Sequence, residues 1–143
     1  MMEKKAYIFG AIFFLSNRIQ NEGDKVFSEI TTKQWFLLIS IIRSGVNSPT
    51  LTEVSKIIGY SRQNVKKLSI NLEKAGFVEL QKDVNDSRVL RISLTDSCYQ
   101  YFKNRQEKEE SFIERLYDGI TEEELDSMLL VMKKLEKNIG SFE

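Results

Sequence analysis

The hydrophobic pattern of the chain changes period at Gly76. Upstream, Val65, Leu68, Leu72 and Ala75 recur at three- and four-residue intervals, as on the inward face of an α-helix. Downstream, Val78 and Leu80 alternate with Glu79 and Gln81, and Leu90, Ile92 and Leu94 alternate with Arg91 and Ser93, as in two half-buried strands. The run between them, Lys82-Asp83-Val84-Asn85-Asp86-Ser87, is polar and turn-prone. The two strands therefore close into a hairpin with an exposed tip, directly after a helix.

A shorter helix is predicted before this one. In Thr50-Leu51-Thr52-Glu53 the threonine hydroxyl and the glutamate three residues on satisfy each other's free backbone donors, a capping box that starts a helix at Leu51 or Thr52. Leu51, Val54, Ile57 and Ile58 form its apolar side, and Gly59 suits the left-handed position that ends it. Tyr60 and Ser61 complete a tight turn, with Ser61 as cap of a second helix running to about Gly76. Helix, tight turn, helix and hairpin in this order are the layout of a winged helix-turn-helix.

The second helix turns Arg62, Gln63, Asn64, Lys66, Lys67 and Asn71 outward. Arg62 and Lys66 lie one turn apart with no acid on that face, a like-charge pair that an anion such as phosphate relieves. Arginine can bond guanine in the major groove, and glutamine or asparagine can bond adenine through two hydrogen bonds. Ser61, Arg62, Gln63, Asn64, Lys66 and Lys67 are thus the candidate DNA-binding residues of the helix. In the hairpin, Arg88 begins the return strand, and Asp86 two residues earlier can hold its guanidinium by a charged hydrogen bond. An arginine so held suits the narrow, negative minor groove. The plainer alternatives are a solvated helix face and an ordinary surface ion pair.

From LTEVSKIIGYSRQNVKKLSINLEKAGFVEL to DVNDSRVLRISLT the chain resembles the MarR family of bacterial transcriptional regulators, and the resemblance extends over nearly its whole length. The family's wing pattern of two aspartates and an arginine corresponds to Asp83, Asp86 and Arg88, followed by Leu94-Thr95 into a long helix. Ser87 stands where the family usually has a basic residue, and Cys98 where a glycine is common. The resemblance implies a homodimer of winged helix-turn-helix subunits, joined through first and last helices. It also implies binding to palindromic operators, and release by a small molecule or by oxidation of a cysteine.

The expected fold is mainly α with a small β wing. A reading lobe over about 32–94 is flanked by dimerisation helices over about 4–20 and 95–140, within a single folding unit of 143 residues. Asn21 to Ser28 and Gly45 to Pro49 read as the main loops. Near the N-terminus, Ala6 to Leu15 is a mostly apolar run too short to cross a membrane and without an obvious cleavage site. It continues as a helix with Ile8, Ile12, Leu15 and Ile19 on one stripe, widened by Phe9, Phe13 and Phe14. Thr121 to Glu124 forms a further capping box, ahead of a seam of Leu125, Met128, Leu129, Met132, Leu135 and Ile139. Two terminal helices with such broad apolar faces suggest a dimer interface; a monomeric helical core is the alternative.

Net charge is zero, yet its distribution is uneven. Tyr60 to Arg91 holds seven Lys/Arg against four Asp/Glu, whereas Lys103 to Glu143 holds seven against eleven. Affinity for DNA follows local phosphate neutralisation, so a basic head with an acidic remote lobe is compatible with docking in one orientation.

No cofactor or metal is expected. The chain has no histidine and one cysteine, which leaves no nitrogen and sulfur set for zinc and no internal disulfide, and fits a reducing cytoplasm. Without histidine there is no Ser-His or Cys-His pair, and no phosphate-cradling glycine loop is present, so an enzyme is not expected. Cys98, beside Tyr99 and Phe102, suits a small buried residue at least as well as a redox switch. Trp35, Phe36, Phe13 and Tyr7 are candidates for lining a cavity for a small aromatic or anionic effector, although aromatics at helical spacing usually fill cores. The functional expectation is a homodimeric repressor of palindromic double-stranded DNA operators, released by an effector. The alternative is a winged-helix adaptor that binds a protein partner without reading DNA sequence.

Overall fold

The computed structural model describes residues 1–142. In chain order these form α1 (Met2–Val26), α2 (Thr32–Ser44), α3 (Leu51–Ile58), α4 (Arg62–Lys74), β1 (Val78–Lys82), β2 (Leu90–Leu94), α5 (Asp96–Leu116) and α6 (Glu122–Gly140). They divide into two compact units, one from Met1 to Tyr101 and one from Phe102 onward. The mainly helical architecture with a two-stranded wing is the one the periodicities predict.

The capping chemistry sets most helix starts. Thr50 Oγ1 accepts from the Glu53 N–H at 3.1 Å while Glu53 Oε2 accepts from the Thr50 N–H at 2.7 Å, and Thr121 and Glu124 repeat the arrangement on α6. Thr31 and Gln34 supply a third capping box, on α2. Gly59 ends α3 at φ +73°, in the left-handed region where a β-carbon is costly, and this frees the chain to turn at once into α4.

The core of the first unit lies between α2, α3, α4 and the hairpin. Leu37, Leu38 and Ile41 of α2, Leu51, Val54 and Ile58 of α3, Val65 and Leu72 of α4, and Val78 and Ile92 of the strands are all buried. Three sequence expectations about this core need correction. Ile57 is 48% exposed rather than inward, because Val54 and Ile58 already point α3 into the core. Ala75 is exposed at the C-cap of α4. The inward place between Val65 and Leu72 goes to Ser69, whose hydroxyl donates to the Val65 carbonyl at 2.6 Å and so enters the core with its donor satisfied.

The expected loop over Asn21–Ser28 is also corrected, since α1 continues to Val26. Its polar residues serve tertiary contact rather than a turn. The Thr32 backbone N–H and hydroxyl both donate to Asp24 Oδ1, at 2.6 and 2.8 Å, so the end of α1 caps the start of α2. Gly23 permits the approach: a β-carbon there would lie 2.5 Å from Thr32 Oγ1. Phe27 and Ile30 then bury beneath the connection. Further toward its start, α1 leaves Tyr7, Ile8, Phe9, Phe13 and Phe14 exposed.

In the second unit α6 has no buried residue, and Leu129, Leu130, Val131 and Ile139 are each more than half exposed. Arg105 on α5 is buried and meets Glu109 one turn on, Nε to Oε1 2.7 Å.

Candidate nucleic-acid interface

Helix α4 is fixed in rotation by Val65, Ser69 and Leu72, so its opposite face has to look outward. Arg62, Gln63, Asn64, Lys66 and Lys67 are all exposed on it, with Asn71 a turn further on. Among the described residues none of Arg62, Lys66 and Lys67 takes part in an ion pair. Ser61 is exposed, and its hydroxyl is occupied as the N-cap, accepting from the Asn64 N–H at 3.2 Å. The first two turns of α4 thus present three cations and two amides to solvent, a composition that complements phosphate and base edges.

The hairpin beside it pairs Val78 with Leu94, Leu80 with Ile92 and Lys82 with Leu90 on one face. Glu73 of α4 ties the base of the hairpin to the helix, its Oε2 accepting from the Leu80 N–H at 2.7 Å. At the other end of the hairpin, Asp86 grips Arg88 through two parallel bonds, Nε to Oδ1 and Nη2 to Oδ2, each 3.1 Å. The Arg88 backbone N–H also donates to Asp86 Oδ1, at 3.0 Å. These bonds hold the Asp86 carboxyl below its ordinary pKa, the guanidinium contributing most. Arg88 remains 88% exposed in its side chain, so it is oriented and yet open to a ligand.

A second aspartate organises the loop from inside. Asp83 Oδ2 accepts from the backbone N–H groups of Asn85 and Asp86, at 3.1 and 3.2 Å, and its other oxygen accepts from Arg91 Nε at 2.5 Å. Arg91 also donates from Nη1 to the Ser48 carbonyl at 2.8 Å, while the Ile92 N–H donates to the Pro49 carbonyl at 2.9 Å. The wing is therefore strapped to the segment that leads into α3. The Arg91 bond is the main cause of the lowered Asp83 pKa, and reciprocally Asp83 raises that of Arg91. Sequence reasoning set Arg91 aside as an outward strand residue and did not find Glu73. Only the strand register places Arg91 near Asp83, and only the packing of α4 on β1 places Glu73 beside Leu80.

The aromatic candidates are distributed otherwise than the cavity expectation implies. Phe36 meets Tyr60 of the inter-helix turn edge to face, ring centres 6.1 Å apart, and partial burial raises the Tyr60 pKa. Phe13 meets Phe9 of its own helix edge to face, ring centres 5.2 Å apart, and is exposed, as is Tyr7; Trp35 is half-buried. Tyr7 and Phe13 are therefore not core residues. Cys98 is fully buried, which pushes its thiol pKa up to about 11. Among the described residues no group of three or more His, Cys, Asp or Glu side chains could hold a metal ion, and no helix is long and apolar enough to cross a membrane.

A capped helix-turn-helix with a basic second helix and an arginine-bearing hairpin makes this a winged helix-turn-helix fold. No family model matches the sequence. The chain is similar to the transcriptional repressor MprA of Escherichia coli, 22% identical over 129 residues that span 90% of this chain and 73% of the relative. Its fold matches a MarR protein from Peptoclostridium difficile at TM-score 0.81 and 25% identity, covering 92% of this chain and 86% of that one. It also matches Sco3205, a MarR family regulator from Streptomyces coelicolor solved in complex with DNA, at TM-score 0.82 and 17% identity, over 96% and 89% of the two chains. In sequence and fold the chain is thus similar to transcriptional regulators of the MarR family.

Proposed function

We propose that the protein is a homodimeric repressor that occupies palindromic operators and is released by a small aromatic or anionic effector. The observation that carries the reading is the outward face of α4, where Arg62, Gln63, Asn64, Lys66 and Lys67 are exposed together and, among the described residues, no carboxylate forms an ion pair with the cations. In this reading α4 enters the major groove, with Ser61 and the first-turn backbone on phosphate, while Arg88, held by Asp86, enters the adjacent minor groove. Residues 32–94 form the reading lobe, and the helices on either side form the dimer. The apolar side chains that α1 and α6 each leave in solvent support a second copy as their cover, since large exposed apolar patches mark interaction surfaces. Two copies would place their reading helices in successive major grooves, roughly 34 Å apart, so that the preferred site is an inverted repeat. An operator-bound dimer blocks polymerase by occupancy, and MprA, a relative by sequence, is a repressor. The half-buried Trp35, close in sequence to the Phe36–Tyr60 contact at the reading turn, provides the fluorescent reporter for effector binding.

The test is selection of bound duplexes from a random pool, with sedimentation of the free protein. Enrichment of one inverted repeat by a dimer supports the reading. A monomer, or binding with no sequence preference, overturns it.

A further inference from the structure

The outward face of α4 carries one apolar side chain that neither the core nor the polar DNA-reading set accounts for. Ile70 is 37% exposed. At 100° per residue, Gln63, Lys67, Ile70 and Lys74 fall within about 60° of arc, opposite buried Val65 and Leu72. Ile70 therefore lies on the stripe that faces away from the core, between Lys67 one turn before it and Lys74 one turn after. The rotation of α4 is set by its buried face, so Ile70 cannot turn inward without expelling Val65 or Leu72.

In the major groove the one apolar feature of a base pair is the thymine 5-methyl group, and apolar side chains read it by contact. From this placement we infer that Ile70 is a specificity residue that recognises a thymine methyl in each half-site. The assignment rests on the DNA-reading role of α4 proposed above and extends it to one chemical group on the base. The neighbouring lysines anchor the helix on the phosphates to either side. Ile70 then desolvates against the methyl, and a cytosine or guanine at that step offers no equivalent surface.

Replacing each thymine of the selected duplex in turn by deoxyuridine removes only that methyl and leaves base pairing intact. Losing one buried methyl is expected to weaken binding about fourfold at one position of the half-site. With Ile70→Ala that sensitivity disappears. With Ile70→Met, which keeps apolar reach, it persists. Lys67→Gln weakens binding to the thymine and deoxyuridine duplexes alike. The inference is overturned if the unaltered protein tolerates deoxyuridine at every position, a measurement that requires no variant to fold, or if Ile70→Ala retains the discrimination. A pool that yields no preferred duplex removes the DNA-reading proposal and this assignment with it, whereas a preferred duplex indifferent to deoxyuridine removes only this one.

Discussion

Asp83 and Arg91 face each other across the wing, and their 2.5 Å contact joins the hairpin loop to the backbone ahead of α3 through the Ser48 carbonyl. One carboxylate thereby organises three things: the loop amides of Asn85 and Asp86, the guanidinium, and through it the lead-in to the helix-turn-helix. Arg88 sits on the same loop, so its direction depends on a residue that it does not touch. The Asp83 pKa is lowered in the folded protein, chiefly by Arg91.

A lowered carboxyl pKa fixes the sign of a pH effect. The stability it contributes is fully present above the unfolded value of about 3.9 and is lost as pH falls through the lower native value. Urea unfolding of the native protein and of Asp83→Asn should therefore differ by a constant amount from pH 7 to about 5, and converge under stronger acid. A difference that persists undiminished to pH 2 would show that the carboxylate charge is not its source. Arg91→Gln combined with Asp83→Asn should cost less than the sum of the two single changes, since each alone breaks the same bond.

Gly23→Ala sets helix propensity against packing. In an open helix the change stabilises by about 1 kcal/mol. Here the new β-carbon would lie 2.5 Å from Thr32 Oγ1, itself held by Asp24 and the Gln20 carbonyl. Overpacking costs about 1–3 kcal/mol, so the net result is destabilisation by roughly 1 kcal/mol in urea titration. Thr32→Ala in the same chain should recover part of the clash energy.

Sequence periodicity disclosed the helix-turn-helix and wing because local chemistry specifies them. Thr50 with Glu53, Gly59, Ser61 and the alternation around Leu80 and Ile92 each act within a few residues. It failed where a residue's role is set at long range. Gly23 and Asp24 look like loop formers by composition, and only the crossing of α1 with α2 makes them helical contact residues. Ser69 looks polar and outward until its hydroxyl finds the Val65 carbonyl. Arg62, Gln63, Asn64, Lys66 and Lys67 are legible as an outward set because the helical period puts them off the face that Val65 and Leu72 bury. Ile70 is not legible in this way, since an apolar residue on such a helix reads as core until the buried face is known.

The cations of α4 and the wing should separate by their salt response. Lys66→Gln and Lys67→Gln each remove one charge from the helix face, and each is expected to lower the slope of log affinity against log salt by about one, with little change in sequence preference. Gln63→Ala should do the reverse, relaxing preference at one base pair with the slope unchanged. Arg88→Ala removes both a charge and a pre-oriented fork, so it is expected to weaken binding about tenfold or more and to reduce the preference for a narrow minor groove. Mobility shifts over a range of salt concentrations read all three effects. Equal binding by the native protein and Arg88→Ala would remove the wing from the interface.

Cys98 offers the last test, of whether oxidation controls this regulator. Its backbone N–H is held at the start of α5 by the Thr95 carbonyl and hydroxyl, its side chain is fully buried, and its thiol pKa is pushed up to about 11. At pH 7 only about one molecule in ten thousand would then carry the reactive thiolate. Alkylation by iodoacetamide under native conditions should be much slower than for an exposed cysteine, and should accelerate on addition of urea. Peroxide at concentrations that oxidise exposed thiols should leave DNA binding intact. Rapid native alkylation, or loss of binding on peroxide treatment that a Cys98→Ser variant resists, would instead make Cys98 a sensor, because opening this site at neutral pH requires α5 to separate from the core around it.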